Sequence, residues 1–194
     1  QVLTTGSDNT AFGDYALATV ATGTSNTAVG SYALNQNVGD NNVAIGVSAL
    51  ELNTIGTQNV AIGVSALGVN TTGNYNVANG TLALAANTTG SHNFGMGTQA
   101  LNRNITGSRN IAMGVFALSN NLTVNDNLAL GHAALAANSS GTPNIAIGTN
   151  ALTTNVIGND NIAIGVNSLT FTTVSNNLAI GNFALNANTI GTLN

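Results

Sequence analysis

Asn59-Val60-Ala61-Ile62-Gly63-Val64-Ser65-Ala66-Leu67, closed by Asn70-Thr71-Thr72-Gly73, is one copy of a unit that fills the chain. The unit reads N-x-A-(I/V/L/M)-G-x-x-A-L-x-x-N-x-x-G-x-x. Its first Gly falls at 13, 30, 46, 63, 80, 97, 114, 131, 148, 165 and 181, in steps of 17 with two of 16. Leu stands four residues after that Gly in every copy, and Asn four before it. Ala stands two before it, except at Gly95. Both one-residue deletions fall between the Ala-Leu pair and the next Asn, around Val38-Gly39 and Val174-Ser175. Loops absorb length changes and strands do not. The N-x-A-I-G segment therefore reads as strand and the N-x-x-G segment as turn.

A helical reading fails on propensity, with two Gly and several Asn and Thr in each unit. Helical repeats also need about 33 to 47 residues. Seventeen residues suit one short coil of a parallel β-solenoid or β-roll: two strands of about five residues, two turns, and a Gly at each corner. The expected fold is all-β, one continuous array over 1–194 with no separate domains. Its eleven coils, stacked about 4.8 Å apart, make a rod roughly 50 Å long. Neither end reads as a cap, and the start at Gln1 without a leader reads as a processed product or a fragment.

The columns that define the coil are sampled by Asn42, Ala44, Ile45, Gly46 and Leu50, and by Asn59, Ala61, Ile62, Gly63 and Leu67. Asn110, Gly114, Leu118, Asn161 and Gly165 continue them. Strand alternation puts Val60 and Ile62 on one face and Asn59, Ala61 and Gly63 on the other. The aliphatic set, together with Leu, is expected to fill the coil. The persistent smallness of the Ala column leaves two readings. It packs against partner chains, as in a trimer, or it lines a narrow interior. Asn stacked on Asn at coil spacing can form an amide ladder, each carbonyl accepting from the next amide.

Composition narrows the function. Charged residues are 4% of the chain, against about 25% in a typical soluble protein. The cations are Arg103 and Arg109, and there is no Cys. Two Arg cannot neutralise a phosphate backbone, so nucleic acid is not an expected partner. No apolar run reaches the roughly 18 residues of a membrane span. A hydrophobic content of 43% argues against disorder.

Chemistry finds no foothold. His92 and His132 occupy different repeat positions more than two coils apart, and the acids are dispersed. Asp8, Asp126 and Asp160 share a column with Ser25, Tyr75, His92, Arg109 and Pro143. A column that accepts all of these reads as an outward turn with no required N–H. Neither a catalytic site, a metal site nor a cofactor is expected, and the chain does not read as an enzyme. Sequons at Asn70, Asn87, Asn104, Asn121 and Asn138 allow an N-glycosylated stripe. The same residues also suit a plain turn sequence, since Asn53 and Asn188 hold that column without a sequon. Thr-rich turns such as Thr71-Thr72 and Thr88-Thr89 raise ice binding, but Ile55, Val156, Ile157 and Ile190 interrupt the array.

Asn-Val-Ala-Ile-Gly at 42–46 and 59–63 resembles the head repeat of YadA-like trimeric autotransporter adhesins. The longer unit, with Ala-Leu and Asn-Thr-Thr-Gly, is similar to repeats of phage and virus tail fibres and of large bacterial surface proteins. The resemblance implies a left-handed parallel β-roll, trimers, and contact with a host surface, receptor or glycan. It carries over no catalytic residue. The expected protein is a non-enzymatic fibre, shaft or head of an adhesin or tail fibre, located extracellularly, at a cell surface or on a virion. The alternative is a subunit that stacks end to end with its own copies into a filament.

Overall fold

A computed structural model describes residues 5–19 and 22–191. Each N-x-A-I-G segment supplies one short strand. These are β1 (Thr10–Phe12), β2 (Thr27–Val29), β3 (Val43–Ile45), β4 (Val60–Ile62), β5 (Val77–Asn79) and β6 (Phe94–Met96), followed by β7 (Ile111–Met113), β8 (Leu128–Leu130), β9 (Asn144–Ile147), β10 (Asn161–Ile164) and β11 (Leu178–Ile180). All eleven form a single parallel sheet in chain order. Pairing is in register: Val60 faces Val43 and Val77, and Ala61 faces Ala44 and Ala78. The fold is a β-solenoid, as the period requires.

The coil has one strand where the spacing predicts two. The Ala-Leu segment still bonds to its neighbours, Ser65 N–H donating to Val47 O at 2.9 Å and Leu67 N–H to Ala83 O at 3.0 Å. It is not extended, because the residues two and four after the Gly are left-handed. Ser65 has φ 53° and Leu67 φ 51°, and the described coils repeat this. A left-handed Leu costs about 1–2 kcal/mol. Burial of the side chain, worth about 1.5–3 kcal/mol, offsets that strain. Left-handed residues curl the chain tightly, and a 17-residue loop with one short strand encloses little space.

That narrowness inverts the expected facing. Ala44, Ala61, Ala78 and Leu67 are wholly buried, while Ile45 and Ile62 are 40% and 37% exposed. The core is an Ala column on the sheet, a second Ala column preceding Leu, the Leu column itself, and Asn. The aliphatic strand residues point outward. The Ala strip is used within its own coil and does not reach a partner chain. The one copy lacking this Ala shows why. A Cβ built on Gly95 would lie 3.4 Å from Leu84 Cγ and Cδ1 and 3.4 Å from Ala100 O. A methyl group fills the available space and nothing larger does.

This facing has a direct test. Ala61→Val overpacks the coil and is expected to destabilise by about 1–3 kcal/mol. Ile62→Thr, on the adjacent residue, is expected to shift stability by about 0.5 kcal/mol or less. Denaturant unfolding at low chain concentration reads both, and the reverse order would restore the aliphatic interior.

Candidate functional site

Two columns of buried Asn run along the rod, the second from Asn37 to Asn155 with Thr172 in the next coil. In the first, Asn59 N–H donates to Asn42 Oδ1 at 3.0 Å. Asn59 Nδ2 donates to Asn42 Oδ1 at 3.2 Å and to Gly73 O at 2.9 Å. Asn76, Asn93 and Asn110 repeat the pattern on their neighbours. In the second, Asn70 Nδ2 donates to Asn53 Oδ1 at 2.7 Å and to Gly73 O at 3.0 Å. Asn87, Asn104 and Asn121 extend it. The first ladder satisfies a backbone N–H at each corner, and both hold the carbonyl after the turn. Buried polar atoms are tolerated because they are paired in this way.

The second ladder decides the sequon question. Asn70, Asn87, Asn104, Asn121 and Asn138 are all wholly buried, and each amide donates inside the coil. The folded rod does not present them for glycosylation, and the turn reading is the one that fits the geometry. The ladder has a fault where Val124 replaces the second Gly. Asn121 Oδ1 is buried without a hydrogen-bond partner. Beyond it, Asn138 and Asn155 accept from their own turns, at Gly141 N–H (3.0 Å) and Gly158 N–H (3.1 Å).

The variable turn column lies outside, as its composition requires. Tyr75 stacks on His92 with ring centroids 4.9 Å apart. Arg109 Nε and Nη2 donate to Asp126 Oδ1 and Oδ2 at 2.7 and 2.9 Å. The column's N–H groups are not idle, however. Tyr75 N–H donates to Thr57 O, His92 N–H to Asn74 O, and Arg109 N–H to Ser91 O. Pro143 lacks that donor, and the Thr142 hydroxyl bonds Asn125 O instead. Proline is accommodated because its neighbour replaces the lost bond.

His132 sits apart, edge-on to Phe116 at 6.2 Å. Among the described residues no three His, Cys, Asp or Glu side chains gather where a metal ion could bind. The surface depressions are open and shallow, such as one of 210 Å³ beside Pro143, Ile145 and Asp160. The Thr turns lose one hydroxyl column to the coils themselves: Thr54, Thr71 and Thr88 donate to the carbonyls of Thr71, Thr88 and Ile105. No helix among the described residues is long and apolar enough to cross a membrane.

Arg109 holds the Asp126 carboxyl below the usual carboxylate range, through hydrogen bonds first and charge second. A lowered carboxyl stabilises the fold above its ordinary titration range and ceases to do so as pH falls through the lowered value. Both groups are solvated, so the effect is small. Asp126→Asn is expected to lower the melting temperature slightly at pH 7 and by less near pH 2. Thermal unfolding at both pH values checks this.

The strand's aliphatic residues make an exposed surface where an interior was expected, and of the two readings of the fixed Ala the narrow interior is the one the structure bears out. No family model matches the chain, and neither curated proteins nor solved structures provide a match.

Proposed function

We propose that the chain is a stretch of structural fibre, the shaft or head of an extracellular adhesin or tail fibre. It has no catalytic role. The observation that carries the reading is the uninterrupted in-register sheet of eleven strands, one per coil. Each coil bonds to the coils before and after it, so the product is a stiff rod whose length scales with repeat number. Scarce charge supports an extracellular or virion setting, since a trypsin-like protease meets only Arg103 and Arg109. A receptor or glycan would meet the outward turn column of Tyr75, His92, Arg109 and Asp126, where neighbouring coils differ most.

Electron microscopy of the purified chain, and of a version with six coils duplicated, tests the reading. The expected result is rods that lengthen by about 4.8 Å per added coil. Globular particles, or rapid digestion of the coils by a protease of broad specificity, would sink it. Threads of indefinite length would favour the end-to-end filament.

A further inference from the structure

Successive turns are stitched together along the rod, and the stitching fails at one internal junction. The turn at 70–75 is bonded to the next one throughout. Thr71, Thr72 and Gly73 N–H donate to Thr88 O at 2.9, 3.1 and 3.4 Å, and His92 N–H returns to Asn74 O at 3.0 Å. Asn74 N–H donates to Ser91 Oγ at 3.0 Å, and Asn87 Nδ2 adds the ladder bond to Asn70 Oδ1. The turn at 104–109 keeps every kind of link. Ile105 N–H donates to Leu122 O, Ser108 N–H to Asn125 Oδ1, Asp126 N–H to Ser108 O, and Asn121 Nδ2 to Asn104 Oδ1. Between the turns at 121–126 and 138–143 a single bond remains, from the Thr142 hydroxyl to Asn125 O. The N–H groups of Leu122, Thr123, Val124 and Asn125 find no acceptor in the next coil. Asn138 Nδ2 turns to Gly141 O, and Pro143 has no N–H to give. Asn121 Oδ1 is left buried and unpaired.

Val124 is the cause. It holds the second-Gly position, where a regular stack has no room for a side chain. A Cβ on Gly73 would lie 2.3 Å from Gly90 O, and one on Gly90 2.2 Å from Gly107 O. The obstacle is backbone, so the turn that follows Val124 must stand off. The other Val at this position repeats the effect, since neither Thr173 nor Val174 N–H reaches the turn at 188–191. The walls on either side of the seam stay bonded. Leu118 N–H donates to Ala134 O at 3.0 Å and Asn120 N–H to Ala136 O at 3.1 Å. On the other side β8 pairs with β9 in register. We infer that this junction is a bending joint, at which the two arms of the rod hinge on the sheet and the Ala-Leu wall while the turns part. Local opening occurs where few bonds oppose it. Here parting the turns breaks only the Thr142–Asn125 bond. It also lets water reach Asn121 Oδ1, whose burial without a partner disfavours the closed form. The joint fixes the place where the rod bends, and the stitched turns from 53 to 109 hold the longer arm straight.

The chain has no Cys, so paired cysteines can carry spin labels at chosen places. Val38, Thr89, Thr106 and Ile157 share one exposed column, the residue before the second Gly. Val38→Cys with Thr106→Cys spans four coils of stitched turns. Thr89→Cys with Ile157→Cys spans four coils that include the seam. Pulsed electron paramagnetic resonance of the full chain reads both separations, each about 19 Å between backbones in a straight stack. The pair across the seam is expected to give the longer and broader distribution. Val124→Gly should narrow it to match the other pair. Gly90→Val should broaden the Val38–Thr106 pair by opening a second seam, with circular dichroism as the check on folding. The Val124→Gly comparison stands even if Gly90→Val fails to fold. Equal widths in the unmodified background, or a width that Val124→Gly leaves unchanged, would overturn the inference. The joint belongs to the rod itself, so a jointed rod that makes no fibre would sustain it while removing the fibre reading. A Val38–Thr106 separation far from that of stacked coils would remove both.

Discussion

Gly80→Ala is expected to cost about 4 kcal/mol or more, and Gly68→Ala to stabilise slightly. Gly80 has φ 141°, a region that side-chain-bearing residues rarely enter. The strain of an alanine there is about 1–3 kcal/mol. Its Cβ would also lie 2.6 Å from the carbonyl carbon and oxygen of Gly97 in the next coil, and 3.0 Å from Thr98 N. Those are backbone atoms and cannot rotate away. The next coil must lift, which pulls on Gly97 N–H to Asn79 O (2.7 Å) and Gln99 N–H to Thr81 O (2.9 Å). Gly68 has ordinary φ, and its added Cβ would find Ser65 O at 3.4 Å and Ser48 O at 3.6 Å. There alanine is accommodated and removes unfolded-state freedom, a gain of about 0.4–1 kcal/mol. Chemical unfolding reads the two totals. Hydrogen exchange should localise the Gly80 damage to β5 and β6, since each coil contacts only its neighbours. A Gly80→Ala chain within about 1 kcal/mol of the parent would refute stacking as the reason for the glycine column.

The contrast between these glycines bears on what a single sequence reveals. Period, strand position and stacking direction were legible because they rest on spacing: Gly63, Leu67 and Asn59 recur at one interval, and only a stacked coil gives an interval of 17 meaning. The facing was legible only as one of two readings of the fixed Ala, because alternation says only that Val60 and Ile62 oppose Asn59 and Ala61. Hydropathy favours the aliphatics for the interior. What decides is the size of the enclosure, set by the left-handed turns at Ser65 and Leu67 and invisible in residue type. Leucine is a poor left-handed residue, so no propensity argument places it there. The second strand was lost for the same reason. The variable column of Tyr75, His92 and Arg109 was legible as an exterior because its chemistry changes from coil to coil. The use of its N–H groups was not, since one Pro143 disguised a bond that Thr142 replaces. Both Asn ladders follow from stacking alone, but the burial of the sequon asparagines depends on the turn's inward tilt.

Asn87 is where that burial has its largest consequence. Its Nδ2 donates to Asn70 Oδ1 at 2.8 Å and to Gly90 O at 3.0 Å, and its Oδ1 accepts from Asn104 Nδ2 at 2.8 Å. Asn87→Leu keeps the volume but strands Asn70 Oδ1 in a wholly buried column. It is expected to cost about 3 kcal/mol, most of it the penalty for unpaired buried groups. Asn121→Leu is expected to cost about 1 kcal/mol, because it strands Asn104 Oδ1 but removes the already unpaired Asn121 Oδ1, so the number of orphaned acceptors does not rise. Asn87→Asp adds a pH test. In this interior no cation faces the site, so burial raises the carboxyl's pKa above its unfolded value of about 3.9. The neutral acid can donate one ladder bond, so the variant is least damaged below about pH 4. Its stability then falls as pH rises toward the raised folded-state value, with a limiting slope of about 1.4 kcal/mol per unit. Guanidinium unfolding at pH 3, 5 and 7 measures this. A loss that stays flat with pH, or equal costs at Asn87 and Asn121, would mean that the amide columns fill space without bonding.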